Sequence, residues 1–243
     1  LLEQQLGAAG APQLCNAVAE VFIGPGAELQ HVRVQHGEAG QSFLSRVFVE
    51  LGRDSRYLCR SFSFGGQISR SDLCIRFAGP GARAALDGLY LGDGEEHVEH
   101  HVVVDHAASH CESQQKYKGV LNGRAQGVFD GAIFVRRGTK GTSAHQENRN
   151  VLLSPEAVVH TKPRLEIDVD DVKCSHGATV GRLDPQQLFY LRSRGIAADQ
   201  AQSLLTVAFA KEMVDRVEQP SIRGALMQAL LNRLPGNDLG ELS

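Results

Sequence analysis

Alternating apolar and polar residues dominate the chain as far as Val180. Runs such as RVFVEL (46–51) and GAIFVRR (131–137) are typical of strands with one covered face and one wetter face. Glycine-containing turns, for example Gly79-Pro80-Gly81 and Asn122-Gly123, separate the runs because glycine adopts positive φ at low steric cost. The pattern predicts an all-β domain, and a sandwich, a barrel and a β-helix all satisfy it.

A helical period replaces the alternation after this point. Asp184, Pro185 and Gln187 combine an N-cap, a proline at the first helical position and a capping-box partner. The segment LFYLRSR then leads to Gly195, a residue type that commonly terminates helices. The sequence therefore predicts a first helix that begins directly after Asp184.

Two further helices are predicted downstream. The second has an apolar stripe made of Leu204, Leu205, Val207, Ala208, Phe209 and Met213. The third begins at Pro220, carries Leu226, Leu230 and Leu231, and ends near Pro235-Gly236. We therefore divide the chain into a β-rich body, residues 1–183, and a helical domain, residues 184–243, with GATVGRLDP as the hinge between them.

Composition narrows the class of protein. Of 243 residues, 42% are hydrophobic and 22% charged, which is ordinary for a globular protein. A net charge of -3 without basic blocks argues against a nucleic-acid partner and an anionic membrane surface. No apolar run approaches the roughly 20 residues of a membrane span. The opening LLEQQLGAAG is not a secretory signal, and we expect further residues to precede Leu1.

Five scattered cysteines and no C-x-x-C pair argue against a disulfide framework and a cysteine-rich zinc site. Free thiols are typical of a reducing compartment. Cys174 and His176, in KCSHGATVG, fall on one strand face, roughly 6.5 to 7 Å apart, where both could reach one ion. Two donors do not complete a site, so spacing alone favours a strand end with a small buried cysteine.

The segment EEHVEHHVVVDHAASHCES is rich in histidine. Strand alternation assigns His97 and His101 to one face and His100 and His106 to the other, so these four cannot meet at one ion. Within the cluster, His106 with His110 is the pair that we single out as candidate metal ligands.

Two enzyme functions remain open as alternatives. They are a β-helix enzyme acting on polysaccharide and a stand-alone metalloenzyme using the His97–His110 cluster. No G-x-S-x-G, Walker A or H-E-x-x-H motif is present. Tryptophan is absent, which leaves few platforms for stacking sugars.

Three segments resemble a known family: DHAASHCESQQKYKGVL (105–121), GVFDGAIFVR (127–136) and the long stretch from Asn150 to Ile196. They are similar to the SufB/SufD family of iron–sulfur cluster assembly proteins, and DVKCSHGATVG is most similar to the SufD branch. The resemblance is strong from His97 to Val217 and weaker towards Leu1. It implies a right-handed parallel β-helix core followed by a small helical domain.

The resemblance also implies a function. A SufD-like chain would be a non-catalytic scaffold in the cytoplasm, or in the plastid stroma of a plant or alga. It would pair with a SufB-like subunit as a heterodimer, or with itself as a homodimer. A transient iron–sulfur cluster would form at that interface on His176, with Cys174 as the adjacent candidate and no cofactor tightly bound to the isolated chain. A SufC-like ATPase would dock on the helices, at Leu188, Phe189, Arg192, Leu205 and Phe209.

Overall fold

The computed structural model describes residues 1–7 and 12–234. These residues form thirteen β-strands followed by three α-helices. The strands are β1 Leu2–Leu6, β2 Gln13–Ile23, β3 Glu28–Gly37, β4 Gln41–Leu51, β5 Arg56–Gly65, β6 Ile68–Phe77, β7 Arg83–Gly92, β8 His97–His106, β9 Glu112–Leu121, β10 Gln126–Val135, β11 Thr142–Leu152, β12 Val158–Ile167 and β13 Val172–Gly181. The helices are α1 Pro185–Ser193, α2 Ala198–Val214 and α3 Pro220–Arg233.

Odd and even strands belong to different sheets. The order is β1-β3-β5-β7-β9-β11-β13 in one sheet and β12-β10-β8-β6-β4-β2 in the other. Each strand pairs in parallel with the strand two places away in the chain, as β9 does with β11. The chain therefore winds as a parallel β-solenoid, which decides among the three architectures that alternation left open.

The space between the sheets holds the main apolar core. Large side chains such as Tyr57, Phe77, Leu86 and Phe129 are fully enclosed there. They occupy alternate strand positions, as the period of two requires. The predicted alternation is thus confirmed, with one sheet's inward side chains packing against those of the other.

Part of this interior is polar. Tyr90 donates from its hydroxyl to Asn150 Oδ1 at 2.5 Å, and Asn148 Nδ2 donates to the Tyr90 hydroxyl at 3.3 Å. His100 lies 3.1 Å from the Ser63 hydroxyl, and burial lowers the pKa of His100 to about 3, so its imidazole is neutral near pH 7. These groups satisfy one another, as buried polar groups must.

Helix α1 begins as predicted. The Asp184 carboxylate accepts a hydrogen bond from the Gln186 backbone N–H at 2.8 Å, and Pro185 occupies the first turn. Gly195 follows the helix at a φ of 87°, a left-handed conformation that glycine adopts without strain. Asp184 and Gly195, the capping residues that the sequence identifies, therefore set the two ends of α1.

The predicted hinge is wrong. Residues 177–181 are the second half of β13 and pair with β11, so only residues 182–184 join the solenoid to α1. Residues 168–171 form the corner between β12 and β13. In both places, pairing with the preceding coil, rather than local composition, determines where the strand lies.

The predicted stripe of α2 is also wrong in part. Of its six residues only Met213 is buried. The buried face consists of Ala201, Ser203, Thr206, Ala210, Met213 and Val214. Small side chains face inward here because α2 packs against β7, β9 and the other two helices, and close approach leaves little room for leucine. The third helix buries Leu226 and Leu230 as predicted.

Helices α2 and α3 cover the outer face of the seven-stranded sheet. Their apolar residues share one cluster with Phe62, Phe64 and Leu89. At its border, buried Asp87 lies 3.1 Å from Arg60 Nε and 3.3 Å from Arg216 Nη1. This triad connects the end of α2 to the solenoid through charges that are largely removed from water.

We predict that Asp87→Ala destabilises the protein by about 3–5 kcal/mol, because Arg60 then loses its carboxylate partner and Arg216 retains only the longer contact to Glu212, at 3.7 Å. The matched control is Asp215→Ala. It removes an exposed aspartate at the end of α2 that accepts a hydrogen bond from Lys211, in the last turn of that helix, at 2.6 Å. That change should cost only about 0.3–0.5 kcal/mol. Urea unfolding measures both, and equal losses would contradict the role of the triad.

A pH prediction follows from Glu3. Its carboxylate accepts from His31 Nε2 at 3.1 Å and from Arg33 Nε at 3.2 Å, and these contacts, chiefly that of His31, lower its pKa to about 2. A carboxylate with a depressed pKa stabilises the fold above its unfolded pKa of 4.5, and this contribution disappears as the pH falls towards 2.

The free energy of unfolding of the wild-type chain should therefore decrease between about pH 5 and pH 2. In Glu3→Gln this decrease should be smaller by about 1–2 kcal/mol, a value that allows for solvent screening of the half-buried carboxylate. Denaturant titrations at a series of pH values test this. An identical pH profile in the variant would show that Glu3 contributes nothing to it.

Candidate functional site

The end of the solenoid formed by β12 and β13 is open. β13 lies at the end of the seven-stranded sheet and β12 at the end of the six-stranded sheet. Within the part of the chain that the structure describes, no strand covers their outer edges. An uncovered strand presents a row of unpaired backbone N–H and C=O groups. Both candidate ligands, Cys174 and His176, lie on β13.

The register of β13 determines which way these two residues face. Cys174 pairs with Ala144 and His176 with Gln146, and both partners are buried inside the solenoid. Parallel residues in register share a sheet face, so Cys174 and His176 lie on the inner face of the last coil. His176 is nevertheless exposed and Cys174 half-buried, because no further coil among the described residues stacks upon them.

The thiol of Cys174 is at the border of the core. It packs with Leu165 and Val172 against the main apolar cluster. Burial raises the pKa of this thiol, and a backbone hydrogen bond from Ala144 opposes the shift only in part. At neutral pH the side chain is therefore a protonated thiol that must lose its proton before it binds a metal.

The predicted facing of the histidine cluster is confirmed. His97 and His101 lie on the outer face, where their Nε2 atoms contact Glu99 at 2.6 and 2.8 Å. His100 and His106 are buried inside the solenoid. The cluster is therefore divided by the sheet itself.

The metal assignment of His106 with His110 gains no support. His106 Nε2 lies 2.9 Å from the Ser113 hydroxyl, and its ring stacks on Phe77 with centroids 4.4 Å apart. Burial lowers the pKa of His106 to about 4, while His110 lies at a corner with a φ of 59°. Across residues 1–7 and 12–234, no group of three or more histidine, cysteine or acidic side chains could hold a metal ion.

The residues assigned to ATPase docking do not share one environment. Helix α1 packs against α2 and has no buried residue, and Phe189 is 74% exposed. Leu188 and Leu205 are half-buried, whereas Arg192 is exposed.

Phe209 on α2 is also half-buried, and the solenoid holds it. Lys118 Nζ donates to the Phe209 carbonyl at 2.8 Å and to Glu212 at 2.6 Å, and it lies 4.4 Å from the centre of the Phe209 ring. Contacts to the solenoid therefore anchor α2, whereas α1 packs on α2 and buries none of its residues.

Comparison with known proteins shows the family to which the chain belongs. The chain matches the family described as SUF system FeS cluster assembly, SufBD core domain, over residues 1–209. The chain belongs to this family. The match begins at residue 1, so it includes the first strands, where the sequence motifs resemble the family only weakly. Family membership favours cluster assembly over an enzyme acting on polysaccharide.

Several relatives agree with this assignment. The chain is 34% identical over 220 residues to an iron–sulfur cluster assembly SufBD family protein of Synechocystis, which covers 90% of this chain and 48% of that protein. It is 32% identical over 216 residues to the iron–sulfur cluster assembly protein SufD of Escherichia coli, covering 89% and 51%. A chloroplastic protein of Arabidopsis thaliana is 33% identical over 211 residues, covering 86% and 44%. The chain thus spans about half the length of these relatives.

All five cysteines are free, as the scattered spacing predicted. None of the described helices is both long and apolar enough to span a bilayer.

We predict that Cys174 reacts with thiolate-selective alkylating reagents several-fold more slowly at pH 7 than an exposed thiol one position away, because burial disfavours its thiolate. The comparison is Lys173→Cys in a Cys174→Ser background, since Lys173 is an exposed residue on the other face of β13. Rates by mass spectrometry at several pH values give the result. Equal rates at all pH values would show that the Cys174 thiol is not perturbed.

Proposed function

We propose that this chain is a SufD-type scaffold subunit that contributes His176 to the assembly of an iron–sulfur cluster. The observation that supports this most directly is the exposure of an inward-facing histidine at an uncovered end of the solenoid. Membership of the SufBD family agrees with it. The subunit has no catalytic role of its own in this proposal and works together with a partner ATPase.

The open edge provides the surface for a partner subunit. β13 is a ten-residue strand, and an exposed edge of that length readily adds a strand from another chain. Apolar side chains at the same end remain partly uncovered, with Ile167 at 38% and Val180 at 46% exposed. A SufB-like subunit in a heterodimer covers this end, and a second copy of the chain in a homodimer is the alternative.

The nascent cluster is the cargo of this interface. A thiolate is a soft donor and an imidazole a borderline one, and both suit iron in an iron–sulfur cluster. Cys174 and His176 supply at most two donors, so the partner supplies the others. The cluster is transient, and we expect the isolated chain to hold no cofactor tightly.

A SufC-type ATPase docks on the helical region in this proposal. Phe189 and Tyr190 on α1 expose 74% and 55% of their surface, which is unusual for large aromatic side chains outside an interface. Leu188 and Arg192 continue the same helix. Anchored α2, with Leu205 and Phe209, connects this surface to the solenoid.

The proposed setting is a reducing compartment, the cytoplasm or a plastid stroma. Five free cysteines are typical of such a compartment. One relative carries the word chloroplastic in its name.

The test is co-expression of the chain with SufB-like and SufC-like proteins, followed by purification and cluster assembly. We expect a stable complex, and we expect His176→Ala to retain the complex while assembly falls at least about tenfold, the effect of losing an essential ligand or its support.

The matched control is His145→Ala. His145 lies on the neighbouring strand β11, on the outer face, with its Nδ1 2.7 Å from the Ser175 hydroxyl, and its loss should leave assembly near the wild-type rate. Wild-type assembly by the His176 variant would refute the proposal, and so would an equal loss in both variants.

A further inference from the structure

A pair of buried glutamines leads from the interior of the solenoid to the candidate site. Gln115 on β9 and Gln146 on β11 are paired in register, and both are almost fully buried, at 1% and 3% exposure. Gln146 Nε2 donates to Gln115 Oε1 at 2.9 Å. The two amides thus form a short ladder that runs across the sheet towards β13.

The ladder ends in unpartnered atoms. Gln146 uses its NH₂ group towards Gln115 on β9, so its Oε1 is directed away from that hydrogen bond. Among residues 1–7 and 12–234, no donor reaches Gln146 Oε1, and no acceptor reaches Gln115 Nε2. The ladder therefore ends in a buried acceptor on β11, the strand next to β13.

The residue beside that acceptor is His176. It is the register partner of Gln146 on β13, and paired parallel strands lie roughly 4.8 Å apart with their side chains on the same face. The next inward-facing residues along β13 are Cys174 and Ala178. A thiol is a weak donor and alanine has none, so the imidazole N–H is the strong donor available at this position.

The opposite sheet keeps the Gln146 amide in place. A Cβ atom on Gly131 would collide with the Gln146 amide group, so the glycine leaves the space that the amide fills. Gln146 is thus enclosed by Gly131 on one side and by Gln115 on another, and these contacts hold its amide group in place.

We infer that Gln146 is a positioning residue for His176: rotation of the exposed imidazole about its side-chain bonds brings one ring N–H to the unpartnered Gln146 Oε1, which selects the tautomer and directs the other ring nitrogen to the open end. Histidines that bind metals commonly donate their second ring nitrogen to such an acceptor, and this orients the ring and increases its basicity as a ligand. The inference builds on the proposed function of His176 and adds the group that orients it.

The test is ¹⁵N–¹H NMR of the histidine ring nitrogens, which reports the tautomer of His176 without any cluster. In the wild-type chain we expect one tautomer at neutral pH. Gln146→Met, which keeps the side-chain length and removes the acceptor, should give the mixture of tautomers of a solvent-exposed histidine. Gln146→Glu keeps an acceptor at the same place and should restore the single tautomer.

Gln115→Met is the matched control. It breaks the same ladder bond as Gln146→Met and leaves Gln146 Oε1 available, so the tautomer of His176 should remain that of the wild type. A mixture of tautomers in the wild-type chain would overturn the inference, and this measurement needs no variant to fold. The same tautomer in Gln146→Met as in the wild type would also overturn it.

Cluster assembly in the complex then separates this inference from the proposed function. With both correct, Gln146→Met lowers the assembly rate several-fold, less than His176→Ala does, and Gln146→Glu recovers it. If the tautomer responds as expected but His176→Ala assembles clusters normally, the hydrogen bond stands and the proposed function fails. If His176→Ala abolishes assembly while the tautomer of His176 is the same in Gln146→Met as in the wild type, only the positioning role fails.

Discussion

Parallel backbone pairing between strands two places apart in the chain governs this molecule. Each strand keeps the register of the strand one coil earlier. A side chain therefore lies on the same sheet face as its register partner in that coil, as His176 does with Gln146. The same rule divides His97 and His101 from His100 and His106. Pairing also requires a neighbour on each side, so the last strand of each sheet is left with an open edge.

The solenoid interior contains hydrogen-bonded polar side chains as well as apolar ones. Asn148, Asn150 and Tyr90 hydrogen-bond to one another, and Gln115 with Gln146 forms the ladder that reaches the candidate site. Hydrogen bonds between buried side chains restrict their directions more strictly than apolar packing does. A site at the end of such an interior therefore has rigid support on its inner side and remains accessible on its outer side.

The helical region is attached to the solenoid in an uneven way. Lys118 and the triad around Asp87 hold α2 through buried charged contacts, whereas α1 has no buried residue. A partner bound at α1 would therefore contact an exposed helix that packs on α2, which is itself attached to the sheet. The chain between β13 and α1 is only three residues long, so the candidate cluster site and α1 are close neighbours along the chain.

The sequence by itself determined the features that depend on local chemistry: the period of two, the corners at Gly79-Pro80-Gly81 and Asn122-Gly123, the caps of α1 around Asp184 and Gly195, and the face shared by Cys174 and His176. Its motifs also led to the right family. Only the tertiary structure decided that residues 177–181 belong to a strand, that α2 buries its small residues, and that β11, with its polar HQENRN segment, is a central strand. Local pattern cannot show this, because Gln146 is buried by partners such as Gln115, 31 residues away in the chain.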